Sequence, residues 1–160
     1  MAIAYGIREP AAIDRRGVAR RLATGGLAAD FPRMKPVKRS IAVLIRNGDR
    51  ILSTRRPDHD DELPGVWGLP AGTFRESETL YDLIARIGID KLGVTLTPIR
   101  KICEGTQERD GYRLEMELWE AAMEGTPSHP AFQWAAFEIL EPGVREGSLC
   151  CELALKKGSD

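Results

Sequence analysis

Four charged residues recur at a spacing of four, Glu78, Asp82, Arg86 and Asp90. Residues four apart share one face of a helix, so this stripe has two readings. It can be an ion-pair ladder, each pair contributing about 0.2–0.5 kcal/mol. It can instead offer oxygens to a hard divalent cation such as Mg²⁺, which takes a few carboxylates plus water and substrate oxygens in a tight octahedron. Such an ion neutralises phosphate oxygens and activates water, which is the chemistry of splitting a diphosphate. Further acids could act as ligands or catalytic base: Glu76 just ahead of the stripe, and Glu115 and Glu117 in an alternating segment. Arg56 is suited to a phosphate, and Trp67 is either core or a stacking platform for a base. A second i,i+4 pair, Ile87 and Lys91, offers no oxygen and adds a positive charge.

The elements that must hold these residues follow from pattern. Ser77 or Glu78 is expected to begin a helix through about Lys91, with Leu80, Leu83, Ile84 and Ile87 facing the core and Gly93 as its stop. Ile41–Ile45 and Arg50–Thr54 flank Asn47-Gly48-Asp49 and read as a hairpin. Residues 57–65 form an Asp- and Pro-rich loop, followed by a short strand at Val66–Leu69. Segments 97–107 and 112–122 read as paired strands around Arg109-Asp110-Gly111. Leu114, Met116 and Leu118 face one side there, and Glu115 and Glu117 the other. Gln133–Phe137 is a further strand, and a last helix is expected over 147–157. Residues 1–35 read as an extension carrying a helix from about Pro10 to Ala23, packed on residues 36–160 or on a partner chain.

At 160 residues the chain suits one domain with a proper core. A net charge of -1 argues against general nucleic-acid or membrane binding, and the partner expected is a small molecule, with a homodimer possible. No apolar run approaches the roughly 18 residues of a membrane span. No signal-like start is present, so a cytoplasmic location is expected. Three cysteines, Cys103, Cys150 and Cys151, form no disulfide or zinc pattern and read as reduced, partly buried thiols.

Gly72, five residues, Glu78, seven residues, Arg86 and a closing Gly93-Val94 reproduce the anchors of the Nudix box without a gap. The chain resembles the Nudix hydrolases, and among them the MutT-like branch, over roughly residues 38–140. Gly65-Val66-Trp67-Gly68-Leu69-Pro70-Ala71-Gly72, Thr54-Arg55-Arg56 and Trp134 support the likeness outside the box. The resemblance implies an α/β fold, an α/β/α sandwich with a mixed β-sheet and the box as loop–helix–loop. It implies a ligand that is a nucleoside diphosphate linked to another moiety, or a nucleoside triphosphate. It also implies a brace of Gly72, Glu78, Arg86 and Gly93, and Mg²⁺ or Mn²⁺ as cofactor where the chain is active.

The box is degenerate. Ile87 and Lys91 stand where the family carries carboxylates, Asp90 replaces a Glu, Gly88 replaces an aliphatic, and Ala71 replaces a Gly at a strand exit whose carbonyl often ligates metal. Asp90 and Glu78 alone make an incomplete metal site. The leading expectation is therefore a Nudix-fold protein that binds nucleotide derivatives with absent or much reduced pyrophosphohydrolase activity. Lys91, Arg56 and Trp67 are its expected substrate-binding residues. Two alternatives stand beside it: an active metal-dependent hydrolase with acids rearranged among Asp90, Glu76, Asp82, Glu115 and Glu117, and a structural or interaction domain.

Overall fold

The apolar run Ile41–Ile45 is buried almost completely, which places it at the centre of a covered sheet rather than on a half-exposed ribbon. A computed structural model describes residues 34–128 and 131–158. In it Ile41 to Leu44 belong to β1 (Val37–Leu44), the second strand of a four-stranded sheet. Its neighbours are β5 (Ala71–Thr73) on one side and β7 (Tyr112–Glu124) on the other, with β6 (Thr95–Arg109) at the edge. β1 runs parallel to β7 and antiparallel to β5, so the sheet is mixed. A second sheet holds β2 (Arg46–Asn47), β3 (Arg50–Arg55), β4 (Trp67–Gly68) and β8 (Phe132–Ala135).

The hairpin expected between Ile41–Ile45 and Arg50–Thr54 therefore exists only at its tip. Arg46 pairs with Ile51 and Asn47 with Arg50 across Gly48, which turns with φ 65. Beyond Ile45 the two segments part into different sheets, because β1 takes β5 and β7 as its neighbours. The β6–β7 hairpin forms as expected and turns at Gly111, φ 88. The strand expected at Val66–Leu69 is limited to Trp67–Gly68, and that at Gln133–Phe137 shifts to Phe132–Ala135.

Each face of the mixed sheet is covered by helix. Helix α1 (Leu80–Arg86) sets Leu83 and Ile84 against Ile41 and Val43. It starts later than expected: Ser77 sits at φ 66, outside helical geometry, and Thr79 is the cap. The Thr79 hydroxyl accepts from the Asp82 amide at 3.1 Å, and the Asp82 carboxylate accepts from the Thr79 amide at 3.0 Å. Asp82 is thus a capping residue rather than a rung in a ladder from Glu78. After Arg86 the helix widens into a π-helical turn, Ile87–Leu92, closed by Gly93 in the left-handed region at φ 71. Opposite, Leu114, Met116 and Leu118 meet α3 (Leu149–Leu153), which is capped by Ser148 and continued by a π-helical turn to Gly158, and α2 (Glu141–Arg145) packs against α3 and β4. A short 3-10 helix, Phe137–Leu140, precedes α2. The helix expected within residues 10–23 lies outside the described residues. Among the described residues no helix is long and apolar enough to cross a membrane.

Candidate functional site

Two box residues form a brace. Arg86 Nε donates to Glu78 Oε2 at 2.7 Å and its Nη2 to Glu78 Oε1 at 2.9 Å, while the second nitrogen also reaches the Thr73 carbonyl at 2.8 Å. The Arg75 amide donates to the same carboxylate at 2.9 Å. This ties the loop after β5 to α1, and a bidentate arginine–carboxylate pair does so with fixed geometry. The hydrogen bond from Arg86 is the main reason that the Glu78 carboxyl titrates at about 2 instead of its ordinary 4.5. A depressed carboxyl contributes stability above its unfolded value and loses it on acidification. Glu78→Gln should therefore lower stability by a constant amount above about pH 5, and the difference from the unsubstituted chain should shrink as pH falls from 4.5 toward 2. Urea unfolding at stepped pH reads this directly; a difference that does not change with pH contradicts it.

Beside the brace, the end of β3, the following loop and the π-helical turn enclose a cleft of about 560 Å³, lined by Arg55, Arg56, Asp60, Ala71, Asp90 and Lys91 among others. A smaller lobe of about 260 Å³ shares Arg56, Ala71 and Lys91 and extends over the sheet to Lys38, Glu62, Arg109, Tyr112 and Cys150. Arg56 and Lys91 thus stand at the junction of the two. Lys91 Nζ donates to the Ala71 carbonyl oxygen. Burial lowers the pKa of this ammonium, and the nearby Arg56 and Arg86 charges lower it further. Arg56 Nη1 lies 3.1 Å from both oxygens of Asp60, whose carboxylate also accepts from the Leu63 and Glu62 amides at 2.8 and 3.2 Å. Those bonds, that from Leu63 foremost, pull the Asp60 pKa down.

The side chains around Ala71 do not fit the divalent ion that the resemblance implies. Ile87 is 1% exposed and packs into the core under α1. A Cβ built on Gly72 would lie 3.0 Å from the Ile87 side chain, so glycine there permits close approach of strand and helix. Both Glu78 oxygens are engaged by Arg86, and the Lys91 ammonium donates to the Ala71 carbonyl. Among the described residues no three Asp, Glu, His or Cys side chains converge in a way that could hold a metal ion. Ala71 itself sits in extended β5 without a left-handed φ, so the methyl is accommodated.

The other expected residues are dispersed. Asp90 lines the larger cleft next to Lys91. Glu115 and Glu117 pair with Arg39 and Ile41 and face the opposite side of the sheet from Leu114 and Met116, away from the Arg56–Lys91 junction. There they line a separate depression of about 170 Å³ with Glu104, Arg39 and Phe74, and Glu117 accepts from Trp119 Nε1 at 2.7 Å. Glu76 is exposed and Trp67 half-buried, and neither lines the cleft or its lobe. Gly93 is held under Ser128, whose amide donates to the Leu92 carbonyl at 2.8 Å. Sequence reasoning missed Asp60, Glu62 and Arg109. Glu62 bridges loop and hairpin, accepting from Arg109 Nη1 at 3.0 Å and from the Tyr112 hydroxyl at 2.7 Å. The i,i+4 spacing of Arg56 and Asp60 was the one signal in the sequence for the first of these.

No family model and no curated protein matches the chain. Solved structures do. The solution structure of the E. coli ORF135 protein matches with a TM-score of 0.63 at 21% identity, covering 76% of this chain and 91% of that one. A MutT protein from Methanosarcina mazei matches at 0.61 and 22% identity, over 69% of this chain and 85% of its own. A NUDIX hydrolase from Nitrosomonas europaea matches at 0.63 and 12% identity, over 76% and 87%. With a mixed sheet between helical layers and the 72–94 segment folded as loop, helix and loop, the chain has the Nudix fold.

Proposed function

We propose that this chain binds a phosphorylated nucleotide derivative, a nucleoside diphosphate linked to a second moiety or a nucleoside triphosphate, without a metal ion and with absent or much reduced hydrolysis. The observation that carries this reading is the Lys91 ammonium on the Ala71 carbonyl, beside Arg56 at the junction of cleft and lobe. An ammonium there supplies a fixed positive charge to a phosphate, as a point charge with donors that rotate to suit. Arg56 adds a planar fork that matches phosphate oxygens once it yields its hold on Asp60. Hydrolysis needs more: an activated water and a base within reach of it. Of the candidate bases, Glu115 and Glu117 face away from the cleft and Glu76 does not line it.

The relatives named MutT and NUDIX hydrolase support a nucleotide-type ligand by likeness of fold alone. The test is calorimetric titration with a panel of nucleoside triphosphates and sugar or ribose diphosphonucleosides, with and without EDTA, alongside a phosphate-release assay. The expected result is binding of at least one member that EDTA leaves unchanged, and turnover far below roughly 1 s⁻¹. Binding that EDTA abolishes, or ordinary turnover with Mg²⁺, would replace this reading with the hydrolase.

A further inference from the structure

Strand register defines the floor of the smaller lobe. Lys38, Ser40 and Ala42 point to one side of β1. On that side Thr73 and Ala71 of β5 stand opposite Ser40 and Ala42, and Leu114 and Met116 of β7 stand opposite Lys38 and Ser40. Lys91 marks one end of the lobe, on the Ala71 carbonyl, and Lys38 the other. Four residues of strand separate these ends, roughly 13 Å, part of which the two flexible lysine stems span.

Both ends carry a positive charge that no carboxylate meets. Asp60 pairs with Arg56, and Glu62 with Arg109. Among the described residues Lys91 has only the Ala71 carbonyl as partner, and Lys38 only the face of the Tyr112 ring, 4.3 Å from its centroid. Between the two lysines the Ser40 hydroxyl, 6% exposed, lies 3.1 Å from that of Thr73. One hydrogen closes that pair. The other hydroxyl hydrogen meets no acceptor among the described residues, so the pair offers a donor to whatever fills the lobe. Tyr112 is the one aromatic among the described residues lining the lobe, and Lys38 lies over its ring, in the place a stacking base would take.

We infer that the smaller lobe holds a sugar joined to the phosphate at the Arg56–Lys91 junction, and that this sugar carries a second anionic group, a carboxylate or a phosphate, held by Lys38. This deepens the proposed function and rests on its phosphate at that junction. The sugar's C–H surface packs on Leu114 and Met116, and one of its oxygens accepts the spare hydrogen of the Ser40–Thr73 pair. Its far anion supplies the counter-charge that Lys38 lacks, with an ammonium whose donors rotate to suit. The ligand is then a nucleoside diphosphate linked to an acidic or phosphorylated sugar, with its nucleoside in the larger cleft.

Three sugar phosphates that differ only in the far group test this with no base present: glucose 1-phosphate, glucuronic acid 1-phosphate and glucose 1,6-bisphosphate. Each is titrated with EDTA, at low and high salt, into the ¹⁵N-labelled full-length chain, and amide shifts read both affinity and place. All three are expected to move amides around Lys91. The two with a far anion should bind at least about threefold tighter, move the amides of Lys38 and Ser40 as well, and lose that advantage in high salt. An advantage for only one of the two supports the inference and names the far group as carboxylate or phosphate. Lys38→Met keeps the stem over Tyr112 and should abolish the advantage without changing the affinity for glucose 1-phosphate. Lys156→Met removes the same charge from a residue that does not line the lobe and should keep it. Equal affinity for all three, an advantage that survives Lys38→Met, or shifts that stay clear of Lys38 and Ser40 overturns the inference and leaves the phosphate at the junction standing. Binding of none of the three removes that phosphate, and the inference with it. Shifts on the unsubstituted chain decide the place even where a variant folds poorly.

Discussion

Ile87→Glu is expected to destabilise the chain by about 3 kcal/mol or more at neutral pH, instead of rebuilding a metal site. The side chain it replaces is 1% exposed and sits among Leu83, Ile84 and Ile41, close against Gly72. Removing that apolar burial forfeits about 1.5–3 kcal/mol, and a buried carboxyl without partners adds about 1–3 kcal/mol more. The new group would stay protonated, its pKa raised by burial. The sign of its pH dependence follows: the unfolded chain releases the proton above about pH 4.3 and the folded chain does not, so stability falls by roughly 1.4 kcal/mol per pH unit above that point until the folded pKa is reached. Urea unfolding at pH 4.5 and pH 7 measures both effects. A loss under about 1 kcal/mol at pH 7, with no dependence on pH, would mean the side chain reaches solvent or a cation, and the core placement of position 87 would be wrong.

Lys91→Ala is expected to weaken binding of the phosphorylated ligand by about tenfold or more while leaving stability nearly unchanged. A hydrogen bond from a charged donor is worth about 1.5–3 kcal/mol, and each 1.4 kcal/mol is a factor of ten in affinity. The net stability effect is small because the lost hydrogen bond to the Ala71 carbonyl is offset by relief of the desolvation of the ammonium and of its repulsion with Arg56 and Arg86. Calorimetry on the variant, with thermal melting as the control for folding, separates the two effects. Unchanged affinity would leave Lys91 only as a helix-end cation favoured by the macrodipole.

The fold was legible where spacing alone carries the geometry. Gly72, Glu78, Arg86 and Gly93 are separated so that the loop carboxylate meets the helix guanidinium and the glycine ends the turn, and the structure has both contacts. Arg56 and Lys91, 35 positions apart, could each be read as phosphate-binding but not as neighbours; the loop 57–65 and the π-helical turn bring them together. The sheet assignment of Ile41–Ile45 was not legible, because a continuous apolar run looks the same whether it pairs with the next strand or with strands far along the chain. Alternation put Glu115 and Glu117 on one face, yet only the register of β1 against β7 decides which face carries the cleft. Gly88 was legible only as a replacement for an aliphatic residue. A Cβ there would lie 2.8 Å from both the Val94 carbonyl oxygen and Leu96 Cγ, so the aliphatic residue of the family pattern has no room.

The central claim is that the Lys91 ammonium holds the place at the Ala71 carbonyl where a divalent ion would stand. Titrating the chain with Mn²⁺ and Mg²⁺ by calorimetry, alone and saturated with its best nucleotide ligand, tests it most directly. The account predicts no site tighter than roughly millimolar in either state, since one open carboxylate, Asp90, is too few ligands for an ion that takes six oxygens. A site of micromolar affinity or tighter on the face of residues 87 and 91 would contradict it.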